Sequence, residues 1–256
     1  MRKGQVRKSM IRYCELVAKT MPPEKRAMAS KCLVGHYLVR PISNVISIPL
    51  IERGVSATSV TMLSAVFPVA ALLLFPLSKG LPGFVTGWIL IFIWNVLDGV
   101  DGNIARYTGT ASRYGGLWDA AVGWLATVSF YVGMGFCAFR LGSVLGGGET
   151  RAFFPFLGAM TGICWIFPRL VMYKRMHEFG DASAEGVRDR QNFGLLKTVY
   201  FNVTSINGFG AVIFLLAMLT GTSDACMLAY FCLGLAMAIA STARMLTPVG
   251  RAEGRE

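Results

Sequence analysis

Long stretches without charged side chains alternate along the chain with polar, mostly basic segments. Each stretch is near or above the roughly 17 to 25 residues that a helix needs to cross the hydrocarbon core of a membrane. The pattern predicts an all-α integral membrane protein with six transmembrane helices. The six stretches are residues 54–78, 80–97, 120–139, 152–168, 198–223 and 225–243.

The N-terminal segment, residues 1–53, has a different pattern. Apolar positions such as Leu16 and Val17 alternate with basic ones such as Lys19, which is typical of an amphipathic helix lying on a membrane surface. Pro41 limits any continuous helix in its second half.

We therefore predict three parts in the chain. These are a cytoplasmic or interfacial amphipathic segment, a six-helix transmembrane domain and a cytoplasmic tail, at residues 1–53, 54–246 and 247–256.

The distribution of charge predicts the topology. Only 15% of residues are charged, whereas a soluble domain carries roughly 25%. Of the 25 Lys and Arg residues, all but Lys79, Arg140 and Arg151 fall on one side of the six predicted spans. Such an excess marks the cytoplasmic face, so we expect a multi-pass protein of a cell (inner) membrane with both termini cytoplasmic. Topology explains the net charge of +11, and no nucleic-acid partner is expected.

Three aspartates stand at the ends of predicted spans 2 and 3. At 100° per residue, Asp98, Asp101, Gly102 and Ala105 share one face of a helix, so two carboxylates lie beside two very small residues. Asp119 opens the next span and also has glycine one turn away on each side. A carboxylate near hydrocarbon is costly, and three of them require a reason.

Two explanations compete for this acidic face. The glycines could simply allow close helix packing, with the carboxylates paired to Arg106 and Arg113. Three carboxylates against two arginines, however, leave negative charge partly desolvated. A hard cation such as Mg²⁺, which takes oxygen ligands and often retains phosphate oxygens, balances that charge directly. We favour a metal site.

At these residues the chain resembles the CDP-alcohol phosphotransferase (CDP-alcohol phosphatidyltransferase) family, whose signature reads D-x2-D-G-x2-A-R-x8-G-x3-D-x3-D. The entry to the first span, with Thr61, is also similar, although the usual Pro-Asn is replaced by Ala57 and Thr58. The match to the signature is Asp98-x2-Asp101-Gly102-x2-Ala105-Arg106-x8-Gly115-x3-Asp119.

The resemblance implies a membrane transferase of phospholipid or related lipid biosynthesis. It would move a phospho-alcohol group from a CDP-alcohol to an acceptor, release CMP and depend on Mg²⁺ or Mn²⁺. Partners would be the CDP-linked donor, the acceptor, membrane lipids and a second copy in a homodimer. Asp98, Asp101 and Asp119 would hold the metal, with Asp119 also catalytic. The expected substrate-binding residues are Gly102, Ala105, Arg106, Gly115 and Arg113.

The chain departs from the family at the fourth aspartate, the expected general base. Its position is occupied by Gly123. The acceptor could be anionic and need no base, or the protein could bind a CDP-lipid without transferring it, as a scaffold. Alternatively, another group in the next cytoplasmic loop could take the proton: His177, Glu178, Asp181 or Asp189.

Two further hypotheses remain at this stage. Acidic residues near spans also occur in ion-coupled transporters, but here they cluster at helix ends rather than at mid-membrane. A basic cluster near the same cytoplasmic helix ends could bind an anionic acceptor, although the positive-inside pattern alone accounts for such residues. That cluster comprises Arg113, Arg169, Lys174 and Arg175.

Overall fold

The computed structural model describes residues 11–145, 149–180 and 195–247, and every regular element in these ranges is helical. The predicted tail, except Thr247, and the first ten residues lie outside the described ranges. The helices are α1 Tyr13–Thr20, α2 Pro23–Ser30, α3 Arg40–Glu52, α4 Ala57–Leu77, α5 Leu81–Thr108, α6 Arg113–Leu141, α7 Phe154–Phe179, α8 Leu195–Thr204, α9 Phe209–Thr220 and α10 Ser223–Leu246.

The all-α membrane architecture predicted from the sequence is confirmed. In the part of the chain that the structure describes, five helices are long and apolar enough to cross a membrane: α4, α5, α6, α7 with the 3₁₀ turn before it, and α10. The fifth predicted span is a bent pair, in which Thr198–Thr204 and Phe209–Thr220 meet at 48°. Counting this pair as one span gives six.

The bend in that span is supported by side chains of neighbouring helices. The hydroxyl of Tyr230 donates to the carbonyl oxygen of Val203 at 2.7 Å, and that of Tyr131 donates to Thr204 at 3.2 Å. Backbone carbonyls released from helical pairing are costly inside a membrane unless another donor satisfies them. The two tyrosine hydroxyls therefore satisfy backbone carbonyl oxygens where this span is interrupted.

The chain leading into the first span is helical on both sides of Pro41. A π-helical turn, Gly35–Val39, runs directly into α3, and the amide of Arg40 donates to the carbonyl of Gly35. Proline lacks an N–H and its ring clashes with the preceding turn of a regular helix. The wider π turn accommodates it, so Pro41 changes the type of helix rather than ending it.

The membrane-spanning core is centred on α4, which packs against both α5 and α6. Phe75 is fully buried there, and its ring occupies the space left by two glycines. A Cβ added at Gly87 or at Gly133 would lie 2.3 or 2.4 Å from that ring. At its opposite end, α4 carries Thr61 against α5, and this brings the first span to the predicted acidic face.

Candidate active site

The three aspartates are brought together by the turn between α5 and α6. Helix α5 ends at Gly109, whose φ of 69° is left-handed, and α6 begins after Ser112, whose Oγ accepts from the amide of Gly115 at 3.0 Å. Asp101 and Asp119 each lie about two helical turns from this short connection. The two helices therefore present both carboxylates at the same depth.

The carboxyl groups are crowded and have no ionic partner among the described residues. Asp98 and Asp119 lie side by side, close enough to share a hydrogen bond when one of them is protonated. Asp101 is only 5% exposed, and its Oδ2 accepts from the hydroxyl of Thr61 at 2.6 Å. None of the three forms an ion pair with any described residue, including Arg106. The packing explanation, which needs such pairs, is therefore not supported.

The chemistry of this donor set suits a hard divalent cation. Adjacent carboxylates cannot all remain ionised without a proton or a cation between them, and carboxylate oxygens are preferred ligands of Mg²⁺ and Mn²⁺. Within the described residues, no three His, Cys, Asp or Glu side chains form a ready-made metal cluster. The aspartates fit such an ion by the type of their donor atoms, while their side chains are not arranged as a coordination shell.

A cavity of about 660 Å³ lies over these carboxylates. It is lined by all seven of the predicted metal and substrate residues other than Arg113, so the residues of the motif share one cavity. Those residues are Asp98, Asp101, Gly102, Ala105, Arg106, Gly115 and Asp119. Polar residues that the sequence did not single out complete the lining: Arg40, Ser43, Asn95, Asn103 and Asn207.

The guanidinium of Arg106 folds back over Gly102 inside the cavity. A Cβ at Gly102 would lie 2.9 Å from both terminal nitrogens of Arg106, so the glycine leaves space for this side chain. One of those nitrogens, Nη2, donates to Oδ1 of Asn103 at 3.2 Å. The first motif glycine, Gly102, thus has a visible structural reason, in addition to the room for a nucleotide that the resemblance implies.

A second arginine reaches the cavity from outside the motif. Arg40, at the start of α3, lines it and places a positive charge near Asp98. Burial lowers the pKa of the Arg40 guanidinium, while the Cys32 thiol and Asp98 act in the opposite direction. Arginine still remains charged in proteins, so the cavity contains two cations beside three carboxylates. Sequence analysis treated Arg40 only as the residue before Pro41.

The position of the missing fourth aspartate is open. A Cβ added at Gly123 would have no other atom within 4 Å, apart from its own helix and neighbours. Gly123 lies one turn after Asp119 on α6, and its carbonyl accepts from the hydroxyl of Thr127 at 2.8 Å. There is therefore space for a carboxylate at this position, and none is present.

The basic residues that were predicted to bind an anionic acceptor do not line the cavity. Arg113 is exposed at the first position of α6, and Arg169 is exposed on α7. Lys174 is paired with Glu178 at 2.5 Å, and Arg175 donates to carbonyl oxygens at the end of α10. Their predicted role therefore rests on charge at the mouth rather than on contact with the carboxylates.

Neither of the two described candidates for a replacement base lines the cavity. His177 and Glu178 are both exposed near the end of α7. The other two candidates, Asp181 and Asp189, lie outside the described residues.

Comparison with known proteins decides the family. A sequence model described as CDP-alcohol phosphatidyltransferase matches residues 55–221, which is more than half of the chain and includes all three aspartates. The chain belongs to this family. The membrane helices and the family together make it a multi-pass membrane protein.

Two curated relatives share part of this region. A phosphatidylinositol phosphate synthase of Mycobacterium marinum is 33% identical over 81 residues, which are 31% of this chain and 33% of the relative. A protein of the same name from Streptomyces avermitilis is 36% identical over 85 residues, 33% of each chain. The matches span about a third of the length of these relatives.

Proposed function

We propose that this protein transfers a phospho-alcohol group from a CDP-alcohol to an acceptor and releases CMP. The observation that carries the proposal is the crowding of three carboxylates without ionic partners in the described chain, beside Arg106 and Arg40 in one cavity. Phosphoryl transfer relies mainly on positioning and charge neutralisation, which this set of charges can supply. The family is one that generally uses divalent metals.

The reaction requires one bond to form and one to break. An acceptor oxygen attacks the β-phosphorus of the CDP-alcohol, and the bond from that phosphorus to the oxygen of CMP breaks with its electron pair. Asp98, Asp101 and Asp119 hold a divalent metal in this proposal, which when bound neutralises charge on the diphosphate. Arg106 and Arg40, which line the same cavity, attract and orient the diphosphate.

The acceptor hydroxyl loses a proton during the attack, and Gly123 cannot receive it. We propose an acceptor that carries its own phosphate. The second pKa of a phosphate monoester is about 6, so this group can take up the proton that the hydroxyl loses. Both curated relatives are named for a phosphatidylinositol phosphate product, which agrees with an anionic acceptor. The open space at Gly123 leaves room for the additional bulk.

The test measures CMP release by the protein in lipid nanodiscs with Mg²⁺ or Mn²⁺ and CDP-diacylglycerol. The acceptor panel pairs neutral and phosphorylated forms: inositol with inositol phosphate, and glycerol with glycerol phosphate. We expect release with the phosphorylated member of a pair, loss of release in Asp119→Asn, and normal release in Asp224→Asn. Asp224 is a suitable control because it is an aspartate of α10 that does not line the cavity, and its carboxylate accepts from the amides of Val144 and Leu145 beyond the opposite end of α6.

The vacant fourth position also favours a second function, binding without transfer. In that case wild-type protein binds the CDP-lipid and releases no CMP, whereas Gly123→Asp gains release because the open site accepts a carboxylate. Equal release by wild type and Gly123→Asp argues against this alternative. An ion flux in proteoliposomes that depends on Asp98 would instead favour a transporter and contradict the transferase.

A further inference from the structure

Asn103 occupies a variable position of the motif, yet it is 2% exposed and has all its polar atoms engaged with side chains. Its Nδ2 donates to Oδ1 of Asn44 at 2.9 Å and to Oγ of Ser47 at 3.2 Å. Its Oδ1 accepts from Nη2 of Arg106 at 3.2 Å. Asn103 therefore links the interfacial helix α3 to the cavity.

Helix α3 is fixed on α5 at the same place. The hydroxyl of Ser43 donates to the backbone carbonyl of Val96 at 2.8 Å, and a Cβ added at Gly99 would lie 2.5 Å from that hydroxyl oxygen. Ile42 and Val45 point away from this contact and are exposed. The polar face of α3 thus packs at a defined register on the motif helix, so that Asn44 faces Asn103.

Arg106 depends on this contact for its orientation. Its bond to Asn103 is the one side-chain hydrogen bond that it makes in the described part of the chain, and its buried Nε has no partner there. Gly102 provides space beneath the guanidinium but no polar group to hold it. A long arginine side chain loses much rotamer entropy when it is fixed, so an anchor of this kind determines how well it is placed.

We propose that Asn44 and Asn103 are positioning residues, which hold the guanidinium of Arg106 in place for the diphosphate of the CDP-alcohol. The proposal rests on the proposed function. Asn44 itself is 7% exposed and donates from Nδ2 to the hydroxyl of Tyr13 at 3.2 Å. A series of hydrogen bonds therefore joins helices α1 and α3 to the binding site, and it runs through Tyr13, Asn44, Asn103 and Arg106.

The test compares two substitutions at Asn103, one that removes the acceptor for Arg106 and one that retains it. Asn103→Leu is similar in size and removes the acceptor for Arg106. Asn103→Asp keeps that acceptor, and the amide of Asn44 can turn so that its Nδ2 donates to the new carboxylate while Tyr13 donates to its oxygen. The matched control is Asn202→Leu, which removes a buried asparagine that accepts from the amide of Leu33 at 2.8 Å and does not line the cavity.

The measurement is calorimetric titration of each protein in nanodiscs with CDP in the presence of Mn²⁺, together with its melting temperature. We expect CDP affinity to fall about tenfold or more in Asn103→Leu, because the guanidinium of Arg106 loses the acceptor that orients it. Asn103→Asp should remain within about threefold of wild type, as should Asn202→Leu even if its melting temperature falls. A merely structural role would make affinity follow melting temperature in all three.

The titration also separates this proposal from the transfer function. Wild-type CDP binding without CMP release from any donor contradicts the transfer, while the affinity ranking of the variants still decides the positioning role. Equal CDP affinity in Asn103→Leu and wild type overturns the positioning proposal, as does an absence of CDP binding by wild type. If Asn103→Leu does not fold, Asn44→Leu replaces it, with the same expected loss of affinity and the same interpretation.

Discussion

Replacement of Thr61 by valine tests whether the first span takes part in the proposed metal site. The Thr61 hydroxyl donates to Oδ2 of Asp101 at 2.6 Å, and both side chains are buried, at 6% and 5% exposure. Valine has nearly the same shape and no hydroxyl, so Thr61→Val removes the donor with little change in volume. The carboxylate of Asp101 then loses the group that fixes its orientation.

The expected effect is large because the acceptor is a buried carboxylate. A hydrogen bond to a charged group contributes about 1.5 to 3 kcal/mol, which corresponds to a factor of about 10 to 150. Loss of a group that orients a metal ligand typically costs about 10- to 100-fold in metal affinity. We therefore expect the Mg²⁺ concentration for half-maximal CMP release to rise at least about tenfold in Thr61→Val.

The assay is a Mg²⁺ titration of CMP release at saturating donor and acceptor, with Thr61→Ser as the matched control. Serine retains a hydroxyl at the same position and should stay within about threefold of wild type, since the acceptor geometry is unchanged. If Thr61→Val and Thr61→Ser require the same Mg²⁺ concentration as wild type, Asp101 does not hold a metal through an orientation set by Thr61.

Three further substitutions have distinct expected outcomes. Gly102→Ala places a methyl group 2.9 Å from the guanidinium nitrogens of Arg106, so we expect about tenfold weaker CDP binding by calorimetry with an unchanged melting temperature. Gly87→Ala meets the Phe75 ring at 2.3 Å, and such overpacking costs about 1 to 3 kcal/mol, seen as a lower melting temperature. Asp224→Ala leaves two loop amides without the acceptor that they reach at 2.8 and 2.9 Å, so stability should fall by about 1 to 3 kcal/mol while the Mg²⁺ dependence of CMP release stays normal.

The spacing of the motif predicted that its residues lie together, and they line one cavity, for a physical reason. Asp98, Asp101, Gly102 and Ala105 lie within a few turns of one helix, where side-chain direction follows directly from residue number. The short connection that follows leaves α6 little freedom, so Asp119 had to return at a similar depth. Local geometry was sufficient to name in advance five of the aspartate and glycine residues of α5 and α6 that line the cavity: Asp98, Asp101, Gly102, Gly115 and Asp119.

The sequence did not reveal the residues that reach the site from elsewhere. Arg40 and Asn207 line the cavity, yet neither belongs to a motif or to a periodic pattern. Asn44 contacts Asn103 across 59 positions of sequence, so no local pattern connects them. The interruption of the fifth span likewise depends on tyrosine hydroxyls from two other helices.

The sequence by itself determined the number and kind of spans and the set of carboxylates, because apolar length and helical periodicity are local properties of the chain. Only the tertiary structure decided which polar groups contact these carboxylates and Arg106. They are the hydroxyl of Thr61, which donates to Asp101, and the hydrogen bonds from Asn44 through Asn103 to Arg106. These contacts depend on the register at which α3 and α4 pack on α5. Close packing of small residues and buried hydrogen bonds sets that register, and both act between segments distant in sequence.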